Sequence, residues 1–423
     1  MIRIPPLKPV DILVAGGGTA GCAAAIAAAR QGHKVLLLEE GNCLGGVSTA
    51  GGVNELYASL EGLGDIFDRL IAELRRYGAL QDRFFFGEVL KLIWQLLADE
   101  AGVDILFHTS LVEVMRKDKR VESVQAVSCS QFLDLQAKFF IDATGEGDLA
   151  ALAGAEFMKG HPDSGRTLHM TLVCHLADTG KPVEPYLPAG LKEIEGPEDL
   201  PGLSGPWRMP DGRLYASMTK IMGEDPTEPI SLSRAESEAR RQLMRLLHYI
   251  QKSYPTYMPV YSGSRIGIRE GRRILGDYVL TEGDITGQEP RDFPDGIAVA
   301  TSQIDFHSLT RPGHLGWRQR VAPYAIPFRC LTPKGLENVL VAGKCISGDQ
   351  VAHSSYRMTP TCCAMGQAAG TAAALAVESG SSDIRQIDIS LLRSQLSKCG
   401  MELDPRKHHS FAPELSPEPS QRF

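Results

Sequence analysis

The sequence predicts an α/β protein, on three observations. Residues 12–25, ILVAGGGTAGCAAA, set three glycines between an apolar run and a stretch of small helix formers. A second apolar run, KVLLLEE at 34–40, follows and ends in acid. More than three hundred residues after the first glycines the pattern returns, as LENVLVAGKCISGD at 336–349 and TPTCCAMGQAAGTAAALAVESG at 359–380. Together these predict a Rossmann-like nucleotide-binding domain assembled from N- and C-terminal segments, with an α+β substrate domain inserted between them.

Taken in order, DILVA is a short buried strand, TAGCAAAIAAARQG a helix with little bulk on its packing face, and KVLLLEE a second strand. This is a βαβ unit. Gly16, Gly18 and Gly21 fall in the G-x-G-x-x-G spacing. The first glycine allows a tight turn, the second lets a pyrophosphate approach the backbone, and the third lets helix and strand pack closely. The helix start, with Thr19 and Ala20, turns its free N–H groups toward the anion. Glu39 closes the second strand where an acid accepts hydrogen bonds from a ribose diol, and Glu40 is the alternative one residue on. NAD and FAD share this fingerprint, and a glycine-rich turn without a ligand also fits the glycines alone. GNCLGGVSTAGG then brings Gly45, Gly46, Gly51 and Gly52, a second place where backbone passes close to a flat or charged group.

Residues 104–139 read as short strands joined by a charged KDKR turn. FIDATGEGDLAALAG follows, a buried strand running into Ala143, Thr144 and Gly145 and then a small helix. Near the C-terminus the returning strand ends in a turn at Gly343, and the last long helix has Thr359 at its cap and Pro360 in its first turn. Between them lie loop-rich stretches dense in Pro and Gly, and a helix read from Ser233 to Ser253 with Ser233 and Glu236 at capping-box spacing. The expected organisation is residues 1–154 and 331–382 in the nucleotide-binding domain, 155–330 inserted, and 383–423 a C-terminal extension with a disordered end.

Composition narrows the function. A chain of 423 residues at 43% hydrophobic content can bury a large core, and a net charge of −7 with dispersed Lys and Arg disfavours a nucleic-acid surface. MIRIPPLKPV has prolines where a signal peptide needs an apolar core, and no later run approaches a membrane span, so the expected setting is cytoplasmic with no membrane partner. Nine cysteines without a C-x-x-C pair fit neither a disulfide framework nor a zinc site, and no metal is expected.

With both ends read this way, the chain resembles the FAD-dependent oxidoreductases of two-dinucleotide-binding-domain architecture. GIREGRRILGDYVLT at 267–281 and IDFH at 304–307 look like signatures of that family. The resemblance implies FAD as cofactor. It implies that Gly16, Gly18 and Gly21 hold the pyrophosphate, Glu39 the adenosine ribose, Gly45 and Gly46 the neighbouring phosphate or ribityl region, and Val112 the adenine through its backbone. Asp349 and the run Gly366, Gln367, Ala368 and Ala369 would meet the ribityl chain and flavin edge. Thr19, Ala20, Ala143, Thr144, Gly145 and Gly343 complete the expected cofactor contacts.

Flavin chemistry needs a hydride path to N5 and a group that carries the accompanying proton. His353, four residues beyond Asp349, and His307 in IDFHS are the candidates, with Tyr324 in reserve. Arg269 and Arg357 suit a substrate carboxylate or the polar flavin edge. Cys362 and Cys363, adjacent near a helix start, read as small-residue packing. The expected activity is hydride transfer between a small organic substrate and FAD. Three alternatives stay open: fumarate-reductase-like reduction of an activated double bond, a non-redox flavoprotein related to tRNA-modifying or thiazole-forming enzymes, and an NAD-only module.

Overall fold

A computed structural model describes residues 8–209, 211–311 and 316–411. The expectations for the first seven residues and for the end of the C-terminal extension lie outside the described residues. Among those described, no helix is long and apolar enough to cross a membrane.

Five parallel strands form the centre, in the order Asp104–Leu106, Val35–Leu38, Val10–Ala15, Gln131–Asp142, Val339–Val341. Their register puts Ala15 beside Leu38 and Asp142, and Asp142 beside Val341, so four strands end in one row. The row is where a ligand belongs in an open α/β sheet. Gln131–Asp142 serves two neighbourhoods. Its first half pairs antiparallel with Arg120–Ser128, which pairs with Ser110–Lys117, and its second half is a parallel core strand.

The first helix, Thr19–Ala29, is buried from Ala20 through Ala29 because it is sandwiched between the sheet and the helix Thr359–Ser379. Small residues permit this contact. A Cβ on Gly366 would fall 2.1 Å from the Ala20 carbonyl oxygen, and one on Gly370 2.1 Å from that of Ala24. Two amphipathic or half-buried helices at Asp65–Arg76 and Gly87–Ala101 pack beside them, in a region the sequence reading left unassigned.

Residues 168–268 carry their own cores. Four antiparallel strands, in the order Ser204–Arg208, Leu214–Ser217, Cys174–Asp178, Tyr257–Ser262, pack Cys174, Leu176, Leu214 and Ala216 against Leu246 and Ile250 of a long helix. That helix is Pro229–Ser253, four residues longer than expected. Glu228 caps it by accepting from the N–H groups of Ile230 and Ser231, while Ser233 Oγ donates back to Pro229 O inside the first turn. The last long helix is displaced by one: Met358 is its cap and Thr359 its first residue.

Residues 274–330 pack in the same core as the chain ends, through Ile274, Ile297, Tyr324 and Phe328. The change of packing therefore falls near 168 and 268 rather than at 155 and 330. Glu270 and Arg273 rivet this junction. Buried Glu270 accepts from Leu168 N at 2.7 Å, Gly160 N at 3.1 Å and Gln350 Nε2 at 2.6 Å, and pairs with Arg273, which donates to Gly160 O and Gly348 O.

Candidate functional site

The row of strand ends opens into a cleft of about 1440 Å³. Gly16, Gly18, Thr19, Ala20, Glu39, Glu40, Gly45, Gly46, Val112, Ala143, Thr144, Gly145 and Gly343 all line it. The glycine loop and the Gly45–Gly46 loop lie side by side, with Gly45 N donating to Gly17 O at 2.8 Å. Gly45, at φ +102°, adopts a conformation that L side chains rarely take.

Several features fit an anionic dinucleotide. No side chain caps the first helix and no acid lies in its first turn, so its leading N–H groups are left for a ligand. A Cβ on Gly18 would meet nothing within 4 Å. Glu39 sits on the wall after the second strand, its carboxylate held by Gly17 N at 2.8 Å and Gly41 N at 2.6 Å. Glu40 is instead ion-paired with Arg265. Lys344, beside Gly343, donates to Gly145 O at 2.7 Å and Glu146 Oε1 at 2.6 Å and so ties two of the turns together.

Other expected contacts lie elsewhere. Gly21 is behind the loop, where a Cβ would come within 1.8 Å of Gly16 O; its role is close packing. Asp349 caps the helix Gln350–Tyr356, accepting from Ala352 N at 2.7 Å and Glu282 N at 2.6 Å. Gly366 lies against Ala20, Gln367 donates to Asp65 Oδ1 at 2.7 Å, and Ala368 and Ala369 are wholly buried. The cause is the direction of the Thr359–Ser379 helix, which runs behind the first helix and presents only Thr359 and Cys362 to the cleft. Burial pushes the Cys362 thiol up to about 12 and Cys363 higher than its usual range, so both stay protonated near neutral pH.

A second cavity, of about 240 Å³, adjoins the cleft. Val47, Gly267, Ile268, Lys344, Arg357 and Thr359 belong to both walls. His307, Arg269 and Arg357 line this smaller cavity, but His353 and Tyr324 line neither. His353 is buried with its ring edge on Tyr356, and burial, with Arg273 and Arg357 nearby, holds its pKa well below the usual imidazole range. Tyr324, also buried, donates to Ser355 Oγ at 2.8 Å, and burial raises its pKa. Sequence proximity to Asp349 misleads here because one short helix turns the imidazole into the core.

Asp305 is the centre that the sequence reading missed. Its Oδ2 lies 2.9 Å from His307 Nε2 and 3.1 Å from Arg357, and its Oδ1 3.0 Å from Arg318 Nε. Alternation along a strand puts residues 305 and 307 on one face, a signal already present in IDFH. Burial alone would raise the Asp305 pKa, but His307, Arg357 and Arg318 hold it well below the carboxylate range. His307 is pushed down to about 4 by burial, aided by Arg269 and Arg357 and opposed by Asp305. Arg83 pairs with Glu55 across the same cavity, at 2.8 Å.

A buried neutral histidine has a consequence for stability. The unfolded chain takes up a proton on His307 near pH 6.5, whereas the folded chain resists until about 4, so this contribution is complete above 6.5 and lost as pH falls toward 4. Asp142, raised to about 6 by burial, works in the opposite sense. Replacing His307 with Gln should therefore shrink the stability lost between pH 7 and pH 5 by about 2 kcal/mol. Denaturant titrations of both proteins at the two pH values measure this, and equal losses would contradict it.

Comparison with known proteins places these features in a family. The thiamine thiazole synthase of Aeropyrum pernix is 30% identical over 149 residues, covering 32% of this chain and 54% of that protein, so the chain spans about half the length of the curated relative it matches. Among solved structures, a geranylgeranyl bacteriochlorophyll reductase-like protein from Thermoplasma acidophilum aligns at 12% identity with a TM-score of 0.47, over 96% of this chain and 94% of its own. An anhydrotetracycline hydroxylase from Streptomyces rimosus aligns at 12% identity and a TM-score of 0.46, over 94% and 70%. The model of the FAD dependent oxidoreductase family matches residues 11–396, nearly the whole chain; the protein belongs to that family, and FAD is its cofactor.

Proposed function

We propose that the protein moves a hydride between a small organic substrate, held in the 240 Å³ cavity, and FAD in the adjoining cleft. The observation that carries this reading is the Asp305–His307 pair on the wall of a cavity that shares six residues with the cleft. Bound FAD supplies a hydride donor or acceptor at its isoalloxazine N5. Residues of the chain supply the rest. Asp305 fixes the imidazole through Nε2, leaving Nδ1 as the atom that takes or returns the substrate proton; this tautomer is inferred from the hydrogen bond. Asp305 also stabilises the imidazolium once it forms.

Substitution His307→Ala should leave bound FAD and its visible absorption unchanged while slowing flavin reduction by about a hundredfold or more. Anaerobic stopped-flow reduction, with a substrate found by screening hydroxy acids, amines, polyols and unsaturated acids for bleaching, is the measurement. A wild-type rate in the mutant would remove His307 from the proton path. The similarity to thiamine thiazole synthase favours a second reading, in which the bound nucleotide is a scaffold and not a redox partner. Bleaching by any compound in the screen excludes that reading; a flavin that no compound bleaches supports it.

A further inference from the structure

Arg269 is a half-buried cation with no ion-pair partner among the described residues. Its guanidinium donates to Thr171 Oγ1 at 2.5 Å and to His169 O at 3.3 Å. Among the described residues, the other cations on the small cavity each have a carboxylate partner: Asp305 serves Arg318 and Arg357, Glu55 serves Arg83, and Glu146 serves Lys344. No carboxylate among the described residues lies within 4.0 Å of Arg269.

Arg357 and Arg318 act on it with like sign, and Asp305, beyond ion-pair distance, opposes them. Burial and Arg269 together hold the Lys220 ammonium down to about 8. The His169 imidazole is held well below its usual range by burial and by the same guanidinium. Desolvating a charge that has no ion-pair partner is costly, so a site that keeps one suits an anion that arrives from outside. The unpaired charge faces a cavity, where an anion can reach it.

We infer that Arg269 anchors a carboxylate of the substrate, a small organic anion. This rests on the reading of the 240 Å³ cavity as the substrate cavity. A planar guanidinium matches a carboxylate through two parallel hydrogen bonds. Val47, Val53, Trp207 and Met358 on the remaining wall suit an apolar organic body. At roughly 30 Å³ per water-sized group, the cavity holds about eight such groups, the scale of a small organic acid.

The test uses the FAD-loaded enzyme and matched probes: acetate, butyrate and benzoate against acetamide, butyramide and benzamide. Binding is read from perturbation of the visible flavin spectrum and from the thermal midpoint. At least one carboxylate should bind, at least tenfold more tightly than its amide. Arg269→Gln should abolish that preference, and Arg269→Lys, which keeps the charge without the fork, should restore part of it. FAD content serves as the folding control, and if Arg269→Gln fails it, Thr171→Val, which removes one anchor of the guanidinium, should reduce the preference instead. Amides that bind as well as acids, a preference that survives in Arg269→Gln, or no carboxylate binding at all would each overturn the inference. The two readings fail separately. Carboxylates that bind through Arg269 while no compound bleaches the flavin leave the anion site standing without hydride transfer; a neutral compound that bleaches Arg269→Gln at the wild-type rate does the reverse.

Discussion

Protein carrying Gly18→Val should purify colourless. Gly18 sits at φ −66° and ψ 177°, a conformation open to any residue, and a Cβ there meets nothing within 4 Å, so the fold tolerates valine. The empty space is the cleft beside the uncapped start of the first helix, and the branched side chain fills it. Charge-assisted hydrogen bonds from backbone N–H groups to phosphate contribute about 1.5–3 kcal/mol each, so losing two weakens FAD by about 10² to 10⁴-fold. Flavin content after gel filtration and the thermal midpoint of the apoprotein are the two readouts. A yellow mutant with stoichiometric FAD would place the pyrophosphate elsewhere.

Gly366→Val, by contrast, should yield no soluble folded protein. Here the Cβ falls 2.1 Å from a backbone oxygen of the first helix, which no rotamer relieves, and moving that helix disturbs the glycine loop and the sheet together. Overpacking of this kind costs about 3 kcal/mol or more, a large part of the stability of a typical domain. Ser379→Val, at the exposed end of the same helix, is the control and should express normally. Soluble yield and thermal unfolding of the two variants decide the matter. A Gly366→Val protein that folds with a normal midpoint but lacks FAD would return this position to the flavin edge.

The two glycines show what a sequence discloses. At Gly18 the cause is local: spacing after an apolar strand announces a turn and a phosphate site, and the first βαβ unit, the 104–139 strands and the returning strand are legible for the same reason. At Gly366 the cause is a helix far away in sequence, so small residues that look suited to a ligand turn out to suit a neighbouring backbone. The same limit governs the histidines. His307 reaches a cavity because strand alternation aims it there beside Asp305, while His353, nearer in sequence to the presumed cofactor, is rotated inward by its helix. Arg269 was a candidate from its motif alone, but its lack of a carboxylate in ion-pair contact depends on where Glu55, Glu146 and Asp305 fall in space, which no spacing reveals.

The pairing of the first and last long helices also bears on how the chain is made. Thr359 lies 340 residues after Thr19, which at ordinary translation rates is a delay of roughly 17–70 s. Throughout that interval the alanine surface of the first helix has no permanent cover, and the Gln131–Asp142 strand lacks its Val339–Val341 neighbour. The nascent chain therefore carries a half-built nucleotide site whose apolar back is open to wrong partners, and the ribosome must release nearly everything before the cofactor cradle can close. Long-range closure of this kind makes folding slow, and it leaves the quality of the finished protein dependent on what shields that surface during synthesis.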